Sequence, residues 1–212
     1  TCQALRLHSS CAIADPAVLL GSEIPRLSTT DSRVAFVPHI GTRERFDCER
    51  LAEMAGLRLI DPAGPVEDVL RSIASSPVVL VESMHGAILA DSIGVPWQRI
   101  SLFNRRLEGQ NAVDFKWQDW GASLELDTTP TMEYMLPWPG RSPVRRFVKR
   151  LFVERSLRKA AQALRSIMNT GHYQLSQREL LRCKANQIRE AIDAAKSSTK
   201  KKYDGQHAHE AV

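Results

Sequence analysis

Residues 78–86, Val-Val-Leu-Val-Glu-Ser-Met-His-Gly, form an apolar run that ends abruptly in a polar cluster. Residues 87–93 then continue with apolar side chains at helical spacing. The pattern predicts a buried strand followed at once by a helix, with His85 at the helix N-terminus. Free N–H groups and the positive end of the helix dipole favour an anion at such a position. We therefore expect Glu82, Ser83 and His85 to face a phosphate or carboxylate ligand.

The elements that must position this cluster alternate between strands and helices. Short β-branched runs predict the strands, and apolar positions three and four residues apart predict the helices. The predicted strands cover residues 33–38, 57–60, 78–81 and 97–103, and the predicted helices cover residues 47–55, 65–74, 85–93 and 111–120. This order predicts an α/β fold with a Rossmann-like parallel sheet, whose ligands bind at the carboxyl ends of the strands. The polar residues just past predicted strands are His39, Ser83, His85 and Asn104.

The last third of the chain is helical and basic. A helix is predicted over residues 143–168, with Ser142 as its N-cap, and a second helix runs from Ser176 to about residue 196. Ser176 and Glu179 have the spacing of a capping box. The apolar stripe of the first helix consists of Val144, Phe147, Val148, Leu151 and Phe152, and its other face carries Arg145, Arg146, Lys149, Arg150, Arg155, Arg158 and Lys159.

These patterns divide the chain into three parts. We predict a Rossmann-like domain over residues 1–140, a basic helical extension over residues 141–196 and a disordered tail over residues 197–212. Two interpretations of the basic helix stay open. Its basic face could rest on an anionic membrane, or its apolar stripe could pack on the sheet domain or on a further domain.

Composition narrows the class of protein. The chain has 212 residues, 43% hydrophobic and 25% charged, with a formal net charge of +5. No stretch reaches the roughly 20 apolar residues of a membrane span, and no signal peptide is recognisable, so we expect a cytoplasmic protein with peripheral contact at the inner membrane as an option. The basic residues are not interleaved with aromatic residues, which argues against nucleic-acid binding. The cysteines, Cys2, Cys11, Cys48 and Cys183, form no CxxC pair, so we expect reduced thiols and no metal site.

Several motifs, taken in order, resemble those of the polysaccharide pyruvyl transferases, and in particular the branch involved in succinoglycan-type exopolysaccharide synthesis. The resemblance covers roughly residues 1–127. The motifs that carry it are Ala12-Ile13-Ala14-Asp15-Pro16-Ala17, Pro38-His39, Ser83-Met84-His85-Gly86, Gly94-Val95-Pro96 and Lys116-Trp117-Gln118-Asp119-Trp120.

The resemblance implies a glycosyltransferase-B-like fold of two domains. Such enzymes transfer the pyruvyl unit of phosphoenolpyruvate to two hydroxyls of a sugar and release phosphate. It implies phosphoenolpyruvate as the donor substrate and a lipid-linked or polymeric glycan as the acceptor. It implies no cofactor. The family's Arg-Gly-Pro motif would precede Thr1, so we expect this chain to be the donor-side portion of a longer enzyme.

Carried onto this chain, the resemblance implies a donor site in which His85 transfers a proton or binds the phosphate. The residues implied in substrate binding are His39, Glu82, Ser83, Met84, Gly86 and Lys116. Ser83 stands where many members have an arginine, which removes a guanidinium expected to hold the donor anion. The candidates to replace that charge are Arg43, Arg45, Arg105, Arg106 and Lys116.

Each assignment has a structural alternative. His85 could cap the helix, Glu82 could bond backbone N–H groups, and Lys116 could be a solvated lysine on a packed helix. Trp117 and Trp120 could be core residues, and Asp15-Pro16 is better explained as a turn. Two other functions also stay open: one half of a nucleotide-sugar glycosyltransferase, or a non-catalytic truncated domain that binds a membrane or a partner.

Overall fold

The computed structural model describes residues 14–29, 31–137 and 143–209. Within them, five strands form one parallel sheet in the order β2-β1-β3-β4-β5. The strands are β1 (Ala35–Val37), β2 (Arg58–Leu59), β3 (Val79–Val81), β4 (Trp97–Ser101) and β5 (Met132–Glu133). The first four lie inside the predicted strand segments, and β5 is an addition. The α/β class with a Rossmann-like parallel sheet is therefore confirmed.

Helices flank the sheet on both faces. They are a 3-10 helix (Pro16–Leu19), α1 (Leu20–Glu23), α2 (Ile40–Arg43), α3 (Cys48–Ala55), α4 (Val66–Ala74), α5 (Met84–Ile93), α6 (Asn104–Glu108), α7 (Gln110–Ser123), α8 (Pro143–Met168) and α9 (Arg178–His209). The longer helices α3, α4, α5 and α7 match the predicted ones. The short helices α1, α2 and α6 are missing from the sequence prediction because four or five residues are too few to show a helical period.

The strand order identifies where a ligand would bind. From β1 the chain crosses to β2 on one side of the sheet, whereas β3 and β4 extend the sheet on the other side. A doubly wound sheet opens a crevice at such a switch point, outside the carboxyl ends of the adjacent strands. His39 follows β1 and Ser83 follows β3, so the predicted polar cluster lies at this crevice.

Alternate strand residues belong to opposite core layers, because side chains in a strand point to alternating faces. On one face, Val37 and Val81 join a cluster that includes Ala87 of α5. On the other face, Phe36 and Leu80 join a cluster formed with α3 and α8. Burial of both faces is typical of a parallel sheet and explains why these strands read as continuous apolar runs.

A tryptophan cluster anchors α7 to the sheet. The rings of Trp97 and Trp120 lie 5.3 Å apart, and Trp117 lies 6.1 Å from Trp97 and 5.9 Å from Trp120. All three rings are buried. This burial agrees with the structural alternative for Trp117 and Trp120, which pack α7 against the sheet, while Lys116 on the same helix is 55% exposed.

The basic helix α8 packs on α3. Its buried residues are Leu157, Ala160, Ala161 and Leu164, in the second half of the helix. Phe152 is the stripe residue whose side chain the structure describes, and it is 61% exposed. The contacts of the other four stripe residues stay a prediction. Ser142 and the side chains of residues 143–151 lie outside the described part.

Helix α9 begins two residues later than predicted, and Ser176 does not form the capping box. Its hydroxyl donates to Asp91 Oδ2 (2.5 Å) and its amide donates to Asp91 Oδ1 (2.8 Å). Asp91 is buried in α5, so this contact between distant segments outcompetes local capping. The helix continues to His209, past the predicted start of a disordered tail at residue 197. The tail contains three consecutive lysines, which are good helix formers, and no proline, so its sequence permits a helix.

Within residues 14–29, 31–137 and 143–209, no helix combines the length and apolar character that crossing a bilayer requires. Cys48 and Cys183 are free thiols, and Cys2 and Cys11 lie outside the described residues. Burial, reinforced by the nearby Glu82 carboxylate, raises the pKa of the Cys48 thiol to about 12. Cys48 is therefore an unreactive core residue rather than a nucleophile.

Candidate functional site

A cavity of about 200 Å³ lies at the switch point, at the carboxyl ends of β1 and β3. That volume is smaller than the roughly 300–1,000 Å³ of pockets for drug-sized ligands, so it suits a smaller molecule. Its lining residues are His39, Ile40, Pro62, Glu82, Ser83, Met84, His85, Glu108, Val113, Lys116 and Trp117. We call it the switch-point cavity. The structure brings every residue of the implied donor site to this cavity except Gly86.

Ser83, rather than His85, caps helix α5. The Gly86 amide donates to Ser83 Oγ at 3.2 Å, so Ser83 satisfies one of the N–H groups at the start of the helix. The amides of Met84 and His85 have no acceptor among the described residues. Because these two residues line the cavity, the first turn of α5 can offer an anion two N–H groups together with the positive end of the helix dipole.

His85 is the most accessible ionisable group in the cavity wall. Its side chain is 69% exposed, and Nε2 lies 3.9 Å from Asp15 Oδ2. Asp15 also accepts the Ala17 amide at 2.8 Å as the N-cap of the short 3-10 helix. The predicted turn at Asp15 is therefore present, and the same carboxylate additionally faces His85. An exposed imidazole without a backbone role is free to meet a ligand.

His39 is held in one tautomer by its neighbours. The Gly41 amide donates to Nδ1 at 3.1 Å, which requires a lone pair on that nitrogen. Nε2 lies 2.9 Å from Glu108 Oε1 and must therefore carry the proton. His39 is thus neutral in this arrangement and caps α2 while donating to Glu108. It offers an anion a hydrogen bond but no positive charge.

Glu108 joins His39 to Lys116. Its Oε1 faces His39 and its Oε2 accepts the Lys116 ammonium. The hydrogen bond from Lys116 is the main reason that the pKa of Glu108 is lowered, with His39 adding to the effect. Lys116 itself is 55% exposed. Glu108 is not among the site residues predicted from sequence. The one sequence feature that points to it is its position beside Gly109, just before the predicted helix of residues 111–120.

Glu82 lines the cavity, yet its carboxylate is fully buried and bonded to backbone N–H groups. Oε2 accepts the His39 amide at 3.0 Å, and Oε1 accepts the amides of Leu102 and Phe103 at 3.0 and 2.7 Å. These amides follow β1 and β4, the two strands that flank β3. Glu82 therefore ties three strand ends together, in agreement with its structural alternative.

Gly86 is a packing residue. A Cβ atom there would lie 3.2 Å from Val37 Cγ1 and 3.5 Å from Val81 Cγ1. Glycine thus lets α5 approach the sheet closely, which places the first turn of the helix at the strand ends. Its amide is already bonded to Ser83 Oγ, and the substrate-binding role that the resemblance implies for Gly86 stays a prediction.

A second group of charges lies on the opposite face of α7 and is almost entirely paired. The guanidinium of Arg99 is 2% exposed and donates to Asp114 and to the Thr128 carbonyl. Arg105 pairs with Asp114 and with Glu133. Arg99 also lies over the Trp117 ring, 4.5 Å from its centre. We call these four residues, Arg99, Arg105, Asp114 and Glu133, the arginine cluster.

Lys116 lines the cavity, and among the described side chains it is the candidate that can supply the charge missing at Ser83. Arg43 is paired with Asp61 and Glu49. Arg45 bonds the Gly41 carbonyl and Glu44. Arg105 belongs to the arginine cluster, and the Arg106 and Asn104 side chains lie outside the described part. The described residues also contain no group of three or more His, Cys, Asp or Glu side chains that could hold a metal ion.

A comparison with known proteins finds a relative of this chain by sequence similarity. The succinoglycan biosynthesis protein ExoV of Rhizobium meliloti (strain 1021) is 35% identical to this chain over 120 residues. The chain is a relative of a succinoglycan biosynthesis protein. The match confirms the resemblance to proteins of succinoglycan-type exopolysaccharide synthesis that the ordered motifs indicate.

The aligned region covers 56% of this chain and 36% of ExoV, so the chain spans about a third of the relative that it matches. No family model matches the chain, and no solved structure matches it. The residue assignments at the switch-point cavity therefore depend on the geometry described above.

Proposed function

We propose that this chain carries the donor site of an enzyme that transfers the pyruvyl group of phosphoenolpyruvate to a pair of sugar hydroxyls in exopolysaccharide synthesis. One observation carries the proposal: His39, Ser83, His85 and Lys116 come from three separate segments and line one small cavity at the switch point. The relationship to ExoV, a succinoglycan biosynthesis protein, supports the biosynthetic setting.

The reaction defines what the cavity must do. Two sugar oxygens form bonds to the central carbon of phosphoenolpyruvate, and the bond from that carbon to the phosphate oxygen breaks. One hydroxyl proton ends on the methylene carbon, which becomes a methyl group, and the other leaves with inorganic phosphate. The site therefore needs donors for two anionic groups and one residue that can transfer a proton.

The described residues match these needs. The Met84 and His85 amides at the start of α5 and the Lys116 ammonium are suited to hold a carboxylate or phosphate. His85 is exposed, lies beside Asp15 and is of the residue type that ordinarily exchanges protons near neutral pH. We assign the proton transfer to His85 and the hydrogen bonding of the donor anion to His39 and Lys116.

The acceptor in this proposal is a glycan carried on a lipid or on the growing polymer, and the enzyme acts at the cytoplasmic side of the inner membrane. Exposed Arg155, Arg158 and Lys159 on α8 supply charges that attract an anionic membrane surface. The contact between α8 and α3 through Leu157 and Leu164 leaves this basic face toward solvent.

The test is a calorimetric titration of phosphoenolpyruvate into this chain, into His85→Ala and into His172→Ala. His172 is an exposed histidine between α8 and α9, so its variant controls for the loss of any imidazole. We expect saturable binding that His172→Ala retains and that His85→Ala weakens by about tenfold or more, equivalent to about 1.4 kcal/mol.

A parallel titration in the presence of uridine diphosphate separates the proposal from its main rival. Binding of phosphoenolpyruvate that is indifferent to the nucleotide supports the pyruvyl-donor site. Competition by the nucleotide would instead favour a nucleotide-sugar glycosyltransferase. If the unmodified chain binds neither compound, the proposal that this chain carries the donor site is wrong.

A further inference from the structure

Two donors from different elements converge on the two oxygens of one carboxylate in the switch-point cavity. His39 Nε2, after β1, lies 2.9 Å from Glu108 Oε1, and Lys116 Nζ, on α7, bonds Glu108 Oε2. A donor pair spaced to grip both oxygens of a carboxylate is the arrangement that an anionic substrate group requires. In this structure the carboxylate belongs to the protein itself.

Glu108 also makes the cavity electrostatically unfavourable for an anion. Lys116 is the one lysine or arginine among the described lining residues, His39 is neutral, and Glu82 and Glu108 are carboxylates. Glu82 is compensated by three backbone N–H groups, whereas Glu108 neutralises Lys116 directly. The Glu108 carboxylate would repel an incoming anion beside it.

We propose that the Glu108 carboxylate is a stand-in for the anionic group of the substrate, which replaces it on His39 Nε2 and Lys116 Nζ when it binds. This inference rests on the proposed function for the identity of the substrate. It adds which two groups bind the anion and which carboxylate the anion displaces. The group exchanged is a carboxylate or a phosphate, both of which offer two oxygens at the required spacing.

The position of Glu108 permits this exchange. Glu108 is the last residue of α6, and Gly109, at φ +84° and ψ 139°, turns the chain sharply into α7. Glycine adopts this conformation without the strain that a side chain would impose. The Glu108 side chain is 29% exposed, so its carboxylate can rotate toward water without breaking the turn. The two donors are held from elsewhere, His39 by Gly41 and Glu82, and Lys116 by the packed helix α7.

The proposal makes an unusual prediction for a residue that lines a binding site: removing Glu108 tightens binding. We would measure the affinity of phosphoenolpyruvate, pyruvate and inorganic phosphate for the unmodified chain, Glu108→Ala, Glu108→Gln and Lys116→Met. We expect Glu108→Ala to bind phosphoenolpyruvate about tenfold more tightly than the unmodified chain, and Lys116→Met to bind it at least about tenfold more weakly.

Glu53→Ala is the matched control, because Glu53 is exposed on α3 and does not line the cavity, yet its loss changes the net charge equally. Its affinity for each anion should stay within about twofold of the unmodified chain. Glu108→Gln keeps the size of the side chain and guards against a folding defect in Glu108→Ala. Thermal unfolding of each variant, with and without phosphate, provides a second measure of binding.

The outcomes separate this inference from the proposed function. Tighter binding of pyruvate in the Glu108 variants assigns the exchanged group to the carboxylate end, and tighter binding of phosphate assigns it to the other end. Equal or weaker binding of all three anions in both variants overturns the stand-in role, even if phosphoenolpyruvate binds and His85→Ala weakens it. If pyruvate or phosphate binds more tightly but phosphoenolpyruvate never binds, the stand-in role holds and the proposed function fails.

Discussion

Helix α7 separates two groups of charged residues that look similar in sequence and differ in bonding. In the arginine cluster, buried guanidinium groups are paired with Asp114 and Glu133, and Arg99 lies over the Trp117 ring. In the switch-point cavity, His85 and Lys116 are largely exposed and have one charged neighbour each. Charges that are mostly paired within the protein stabilise the fold, whereas exposed charges with few partners are more available to a ligand.

The largest effect should come from breaking the arginine cluster. Asp114→Ala removes the carboxylate shared by Arg99 and Arg105 and leaves the buried Arg99 guanidinium without an anionic partner. We expect the free energy of unfolding to fall by about 3 kcal/mol. This value is at the lower end of the cost of breaking a buried ion pair, because the Asp114 side chain is partly exposed. Urea denaturation followed by circular dichroism measures this change in the free energy of unfolding. Lys116→Met, on the other side of α7, should change stability by less than about 0.5 kcal/mol.

Acid provides a check on the same cluster. Partial burial opposes ionisation of Asp114, but hydrogen bonds from Arg105 and Arg99 outweigh it and lower its pKa. A carboxyl with a lowered pKa contributes its full stabilisation above its unfolded-state pKa of about 4 and loses it as pH falls through the folded value. The stability gap between the unmodified chain and Asp114→Ala should thus be widest near neutral pH and shrink below about pH 4. A gap that is constant with pH would contradict a role for the Asp114 charge.

A smaller effect should come from Glu82, which lies in the cavity wall but is bonded like the arginine cluster. Glu82→Gln leaves one carbonyl oxygen to serve the amides of His39, Leu102 and Phe103, and it points an NH₂ group at an N–H donor. We expect a loss of about 2 kcal/mol, the cost of a buried unsatisfied amide, in the same urea experiment. Unchanged stability together with lost binding of phosphoenolpyruvate would instead place Glu82 in contact with the substrate.

The contrast also explains what the sequence could predict. The strands and the polar residues after them are local patterns: an apolar run, then Pro38-His39 or Ser83-Met84-His85. In a parallel sheet the carboxyl ends of adjacent strands meet, so the grouping of His39 with His85 follows from the fold class alone.

Contacts between distant segments were beyond reach of the sequence. Glu108 contacts His39 and Lys116 because the five-residue helix α6 ends at a sharp turn at Gly109. A helix this short and a single turn residue show no repeating pattern of apolar residues that a sequence could reveal. Arg99 lies in the middle of a strand, where a charge reads as solvent-facing unless its partner Asp114 is known. Ser176 forms bonds with Asp91 from another helix in place of its predicted cap.

The smallest effect on stability should come from His85→Ala, and that small effect is informative. The imidazole is 69% exposed, forms no bond to the backbone, and lies 3.9 Å from Asp15, a separation at which a surface pair contributes little. We expect the free energy of unfolding to change by less than about 0.5 kcal/mol, measured as for Asp114→Ala. A loss above about 1 kcal/mol would mean that His85 supports the start of α5, as a cap would. Unchanged stability would agree with the ligand-binding role of His85, because the Met84 and His85 amides beside it have no acceptor within the part of the chain that the structure describes.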